Sequence, residues 1–157
     1  MTVVVGDERE VDDTTIDLDR WRVFAEAVLG AAGAEGELTL TFVDVDEIAS
    51  LNEEHMGKAG PTDVLAFPID EGPTPGVPTL LGDVVICPSV AAEQVPDHAG
   101  TFDDEIALLV VHGILHVLGH DHAEADQAAV MRQRELELLE AHHWSGPAPT
   151  VFRQIQD

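Results

Sequence analysis

His112, His116 and His122, with Gly119 between the last two, are the residues of this chain whose types and spacing could do chemistry. They stand in the run V-H-G-I-L-H-V-L-G-H-D-H-A, from Val111 to Ala123. Two histidines four apart share one face of a helix, and an axial rise of ~6 Å lets both reach one ion. Gly119 permits the left-handed turn that ends a helix, after which a third histidine can fold back. His120 continues the four-residue series, but on an unbroken helix it would stand ~12 Å from His112, too far to share a metal. The expected ligands are therefore His112, His116 and His122, with His120 beside the site or facing solvent. Three imidazoles and one open position describe a catalytic zinc site better than a structural one. One zinc ion per chain is expected, although nickel, cobalt or iron could load an all-nitrogen set. Water on such an ion has its pKa lowered towards ~7, which makes the site a general hydrolytic tool.

The spacing is that of the metzincin metalloprotease motif with one change. Gly113 stands where the protease carries its glutamate base. A metallopeptidase-like hydrolase therefore ranks last among the readings. Asp121 could accept the free ring N–H of a ligand and fix its tautomer, or simply serve a turn that favours aspartate. His142 and His143, near the end of the last helical stretch, read as partners of the helix dipole or as surface residues. His55 and His98 have no supporting spacing, and Cys87 reads as a buried thiol at a strand end.

The elements that must position these residues follow from periodicity. Thr2 to Val5 is a short β-branched run, expected as an edge strand. Trp21, Phe24, Ala25, Val28 and Leu29 recur at helical spacing from Leu18, with Gly33 as the stop. Glu37 to Val43 alternates as a half-buried strand, and Asp44 or Asp46 could cap a short helix through Asn52. Val64 to Phe67 is a strand stopped by Pro68, and Gly82 to Cys87 an apolar strand ended by Pro88. A helical stretch covers Ser89 to Gln94. Thr101 starts the helix that carries the first two histidines, and Asp104 completes a box-like cap. Ile106, Leu109, Val110 and Gly113 form its buried side, and it ends near Leu118. A last helix runs from about Ala125 to His142. The order predicts one α+β domain over residues 1–144 and a flexible tail over 145–157.

Bulk properties bound the rest. A chain of 157 residues with 45% apolar side chains is long enough for one core without disulfides. Cys87 is the only cysteine, which suits a reducing compartment. The first residues lack the basic lead and apolar core of a signal peptide, and the longest apolar run, Ile106 to Val111, cannot span a bilayer. A soluble, cytoplasmic protein is expected. Against seven basic side chains stand 31 acidic ones, a formal net charge of −24, and Lys58 is the only lysine. Such a surface repels nucleic acid phosphates and anionic membranes at long range, which weighs against any polyanionic substrate, and neither DNA nor a membrane is expected as a partner. It suits a salty cytoplasm, where screening lengths are short.

Three ordered segments carry a resemblance to a known family. The run H-G-I-L-H-V-L-G-H-D-H resembles the zinc motif of the YbeY family of bacterial ribosomal RNA maturation factors. Leu51-Asn52, Gly57-Lys58 and Pro61 to Pro68 resemble its central strand signature, and Leu81 to Pro88 resembles the next strand. The resemblance covers most of Glu37 to about Leu139. It implies a small mixed β-sheet of about four strands packed with helices, with the zinc cleft at the end of a central helix. It carries the ligands over to His112, His116 and His122. It implies a metal-dependent, single-strand-specific endoribonuclease acting in maturation of the 3′ end of small-subunit ribosomal RNA and in late ribosome quality control.

The chain departs from the family's pattern at the loop facing the cleft. Where many members carry an arginine directly before the glycine that aligns with Gly57, or two before it, this chain has Met56, and His55 replaces an aromatic. An arginine there would clamp phosphate bidentately, whereas Lys58 offers only a point charge. Lys58, His120 and Asp121 are the candidate catalytic helpers. Arg132 and Arg134 read as solvated surface charges, and Asp63 and Asp83 as strand-end aspartates satisfying local N–H groups. The expected partners are single-stranded ribosomal RNA and small ribosomal subunit proteins, whose basic surfaces would accept an acidic partner. A non-enzymatic assembly factor, in which zinc only staples the helix to its loop, is the second reading.

Overall fold

The computed structural model describes residues 2–10, 14–69, 76, 79–96, 100–120 and 123–154. Its strands are β1 (Thr2–Asp7), β2 (Glu37–Phe42), β3 (Val64–Pro68) and β4 (Leu80–Ile86). Its helices are α1 (Leu18–Ala31), α2 (Val45–Met56), α3 (Pro88–Gln94), α4 (Phe102–Val117) and α5 (Ala125–His142). The four strands form one mixed sheet in the order β1-β2-β4-β3. β1 and β4 both run parallel to β2, whereas β3 is antiparallel to β4. The architecture is α+β, as the sequence pattern and the resemblance both led one to expect.

Alternation along the central strands sorts their side chains onto two faces. Leu38, Leu40 and Phe42 of β2 and Val84 and Ile86 of β4 join the large core with α1, α4 and α5. Val85 and Cys87 point the other way, into a smaller cluster with Ile48 of α2 and Leu65 of β3. Pro68 extends β3 by one residue instead of stopping it, pairing with Gly82. A proline is tolerated there because β3 is an edge strand. The register shift opposite Glu37 and Leu38 lets β4 start at Leu80, two residues before the expected Gly82. α2 likewise runs past Asn52 to Met56 and ends at Gly57, whose φ is 66°.

α4 is buried far more fully than a one-sided stripe predicts. Every residue from Ile106 to Val111 is sealed from solvent, and His112, Gly113, Ile114 and Leu115 are buried too. The reason is position: β3 and β4 lie under this helix, and α1, α3 and α5 flank it. A helix apolar on all sides is the one that sits in the middle. Thr101 caps it as expected, its Oγ1 accepting from the Asp104 N–H at 3.1 Å. Asp104 itself turns elsewhere. Its Oδ1 bonds His143 Nε2 at 2.7 Å and accepts from Trp144 Nε1 at 2.9 Å. His143 is thereby a buried tie between the end of α5 and the start of α4, not a surface residue.

Among the described residues no helix is long and apolar enough to cross a membrane.

Candidate metal centre and its cleft

The end of α4 is built to present its histidines. After Leu118 the chain turns through Gly119, whose φ of 101° is a conformation that side chains with a Cβ rarely adopt. His120 N–H bonds Leu115 O at 2.9 Å and Gly119 N–H bonds His116 O at 3.0 Å. That pair of bonds is the Schellman stop, which satisfies the last carbonyls of the helix. The glycine turn read from the sequence is thus present, one turn beyond His116.

His112 and His116 meet as the four-residue spacing predicts. Their Nε2 atoms lie 3.1 Å apart, with ring centroids separated by 4.6 Å. On its other nitrogen, His112 Nδ1 stands 2.5 Å from Glu135 Oε2 on α5. A carboxylate accepts and does not donate, so this contact puts the ring proton on Nδ1 and leaves the Nε2 lone pair directed at His116. Glu135 is 1% exposed. Its Oε1 accepts from Gln154 Nε2 at 3.1 Å.

This donor set fits a small divalent ion. Two nitrogens on one tetrahedral zinc at 2.0–2.1 Å each lie about 3.3 Å apart, close to the separation already present here. Neutral imidazole with its second N–H held by a carboxylate is the usual form of a histidine ligand. His122 and Asp121 lie outside the described residues, and among the described residues no third metal-binding side chain joins the pair.

A cleft of about 500 Å³ opens over the pair, lined by Asn52, Met56, Lys58, Thr62, Asp63, Val64, Leu65, Ala66, Pro68, His112, Gly113 and His116. Lys58 therefore faces the space the histidines face. The loop that carries it is fixed by Asn52, whose Nδ2 donates to Gly60 O at 3.0 Å. Asp63 is held too: its Oδ1 accepts from Val64 N–H at 2.8 Å, the local role expected of it. With the nitrogen of its amide facing both acids, Gln94 donates to Asp63 Oδ2 and to Glu105 Oε1. His120 lies elsewhere, in a separate depression with Gly119, Asp126, Gln127 and Val130. Arg134 bonds Glu137 and the Ala31 carbonyl at the surface.

Gly113, which marked the absent protease base, has a packing role as well. A Cβ there would fall 2.6 Å from Val84 Cγ1 and 3.1 Å from Cγ2. The glycine lets α4 lie directly on β4, which sets the depth of both histidines in the cleft.

Sequence reasoning missed Glu135. It offered Asp121, the residue after His120, either as a partner for a ligand ring or as a plain turn aspartate, whereas the partner of His112 comes from another helix. A signal existed. Met131, Glu135, Leu138 and Leu139 are the buried positions of α5, so the glutamate interrupts an otherwise apolar stripe at helical spacing.

A mixed four-stranded sheet carrying a buried helix, with paired histidines in the floor of an open cleft, defines the class as an α+β protein with a candidate metal centre. The family model described as "Endoribonuclease YbeY" matches residues 8–143. The chain belongs to that family. The endoribonuclease YbeY of Salinispora tropica is 41% identical over 151 residues, covering 88% of this chain and 94% of the relative. That of Mycolicibacterium vanbaalenii is 40% identical over 165 residues, covering 98% and 86%. The solution structure of TM1509 from Thermotoga maritima superposes with a TM-score of 0.62 at 26% identity, over 91% of this chain and 90% of that one.

Proposed function

We propose that this chain is a zinc-dependent, single-strand-specific endoribonuclease that matures the 3′ end of small-subunit ribosomal RNA and serves late ribosome quality control in the cytoplasm. Membership of an endoribonuclease family supports the RNA-cleaving class. The observation that carries the rest is the convergence of His112 Nε2 and His116 Nε2 in the floor of a cleft that also holds Lys58.

His112, His116 and His122 would hold the ion. When bound, zinc supplies Lewis acidity at a phosphoryl oxygen and a water acidic enough to ionise near neutral pH. The chain's own residues do the rest. Glu135 holds the Nδ1 proton of His112, so the lone pair on Nε2 stays directed into the cleft. Lys58 puts one ammonium beside the path of the phosphate backbone, and Asn52 keeps that loop in shape. Met56 and the apolar Val64, Leu65 and Ala66 line the same wall as Lys58, which suits a flexible single strand better than a rigid duplex. Asp121 would assist proton movement beside the ion, whereas His120 lines a separate depression and is given no such role. With a formal charge of −24, the outer surface favours docking on basic ribosomal proteins of the small subunit over free RNA.

The test is the 3′ end of small-subunit ribosomal RNA in cells depleted of the protein and complemented with wild type or His116→Ala, both shown to accumulate. Removal of the unprocessed tail by wild type alone supports the nuclease. Equal processing by the histidine variant would leave a non-enzymatic assembly factor in its place.

A further inference from the structure

Glu135 is a carboxylate placed where packing alone would call for a leucine. Its neighbours on the buried face of α5 are Met131, Leu138 and Leu139, and it is as buried as they are. Burying a carboxylate costs several kcal/mol unless its oxygens are satisfied, so a fold retains one only with partners in place. Both oxygens of Glu135 have one. Oε2 meets His112 Nδ1 at 2.5 Å, and Oε1 accepts from Gln154 Nε2 at 3.1 Å. The same Gln154 nitrogen donates its other hydrogen to Arg132 O at 2.6 Å, which fixes the amide plane against α5.

Gln154 is brought there by the segment after α5. Phe152 packs edge-on against Trp144 with ring centroids 4.8 Å apart, and Trp144 Nε1 is tied to Asp104 at the start of α4. The chain that leaves the last helix therefore returns to grip α4 at its first turn and, through Glu135, at His112.

We propose that Glu135 and Gln154 form a positioning pair for the metal centre: Glu135 holds His112 in the tautomer and ring orientation that ligation needs, and Gln154 holds Glu135. The inference rests on the metal-site reading above, but its primary readout is taken on metal-free protein and so stands apart from it. A histidine without a partner in water prefers the proton on Nε2, the wrong nitrogen for this cleft. Here the carboxylate reverses that preference. Outer partners of this kind commonly govern metal affinity by 10–100-fold.

The experiment compares wild type with Glu135→Leu, Glu135→Gln and Gln154→Met. Imidazole nitrogen NMR of metal-free protein reads the His112 tautomer, and a competing chelator reads zinc affinity. Melting of the metal-free protein controls for the fold. Wild type should show the Nδ1–H form. Glu135→Leu should shift to Nε2–H and bind zinc roughly 10–100-fold more weakly. Glu135→Gln keeps an acceptor oxygen, so it should retain the tautomer and recover part of the affinity. Gln154→Met should weaken zinc binding severalfold with melting unchanged. A folded Glu135→Leu that keeps the Nδ1–H form and binds zinc within twofold of wild type overturns the proposal. Should that variant not fold, zinc affinity within twofold of wild type in both Glu135→Gln and Gln154→Met overturns it equally. Absence of RNA cleavage by the zinc-loaded wild type, with these shifts present in the variants, would count against the nuclease reading alone.

Discussion

The two walls of the cleft are made differently. On the α4 side, His112 is buried, its ring is braced from a second helix, and Gly113 lies flat on β4. On the other side, α2 ends in an exposed His55 and Met56, followed by the loop of Lys58. His55 leans edge-on against Phe67 at 5.1 Å, and one side-chain amide, that of Asn52, ties the loop from within. The first wall has its donors fixed before any ligand arrives, the requirement for a metal or reacting group. The second can adapt, and an adaptable wall with one cation suits a polymer that is held at many points elsewhere. Under the proposed function, chemistry would fall to α4 and substrate contact to the α2–β3 loop.

The largest expected effect lies on the fixed wall. His116→Ala should lower RNA cleavage at least about a hundredfold, since even outer partners of a ligand cost 10–100-fold. The fold should survive, because α4 is secured by its neighbours and not by the metal. Collapse of the zinc-loaded wild type on chelation, seen as a sharp fall in melting temperature, would break the comparison and make the site a structural staple. Next in size is Gly113→Ala. Both methyls of Val84 crowd the new Cβ, and every staggered rotamer of Val84 keeps at least one methyl on that side. Overpacking of this kind costs ~1–3 kcal/mol, offset in part by the ~1 kcal/mol that alanine gains over glycine within a helix. Denaturant unfolding should show a net loss that Val84→Ala, added in the same chain, largely restores. The crowding also bears on Gly113→Glu as a way to install a protease base: it would disturb the helix before it tested any chemistry.

Much of this was legible in the chain. Spacing alone located α1, β2 and α5, because one face of each meets a core and the other meets solvent. It located the turn at Gly119 because a helix ending before a folded-back segment needs a left-handed residue there. What it could not show was contact across distance. The run Ile106 to Val111 reads as apolar from any angle, and nothing in it says that α1, α3 and α5 all press on it. His143 and Asp104 are 39 residues apart, so a surface reading of His143 was the natural one until the helix end and helix start were seen together. Glu135 is the instructive case. Its position in an apolar stripe was a signal left unread, and only the packing of α5 on α4 says which histidine it serves.

On the adaptable wall the effects should be smaller and of another kind. Lys58→Ala should weaken binding of single-stranded RNA by roughly 1 kcal/mol while leaving zinc affinity unchanged. The slope of log affinity against log salt should fall by about 0.7, the share of one phosphate contact on a single strand. An unchanged slope would remove Lys58 from the substrate path. A loss of zinc binding would dissolve the division between the walls.

The smallest effect tests whether acid sensitivity of the fold can be kept separate from the site. Asp7, at the end of β1 and outside the cleft lining, bonds the Arg9 guanidinium at 2.9 Å, and that bond holds its carboxyl below the usual range. A carboxyl depressed in the folded state adds stability above its unfolded pKa of ~3.9, and that contribution is lost as pH falls through the folded value. The pair is partly exposed, so its worth is that of a surface bridge, roughly 0.2–1 kcal/mol. Asp7→Asn should therefore lower stability near pH ~7 by that much and make no difference below the folded value. Denaturant midpoints at several pH values check the sign. If the gap between wild type and variant widened towards acid, Asp7 would be acting through something other than Arg9. If Asp7→Asn also shifted the pH profile of RNA cleavage, β1 would be coupled to the cleft through β2 and β4, and the fixed wall would extend across the whole sheet.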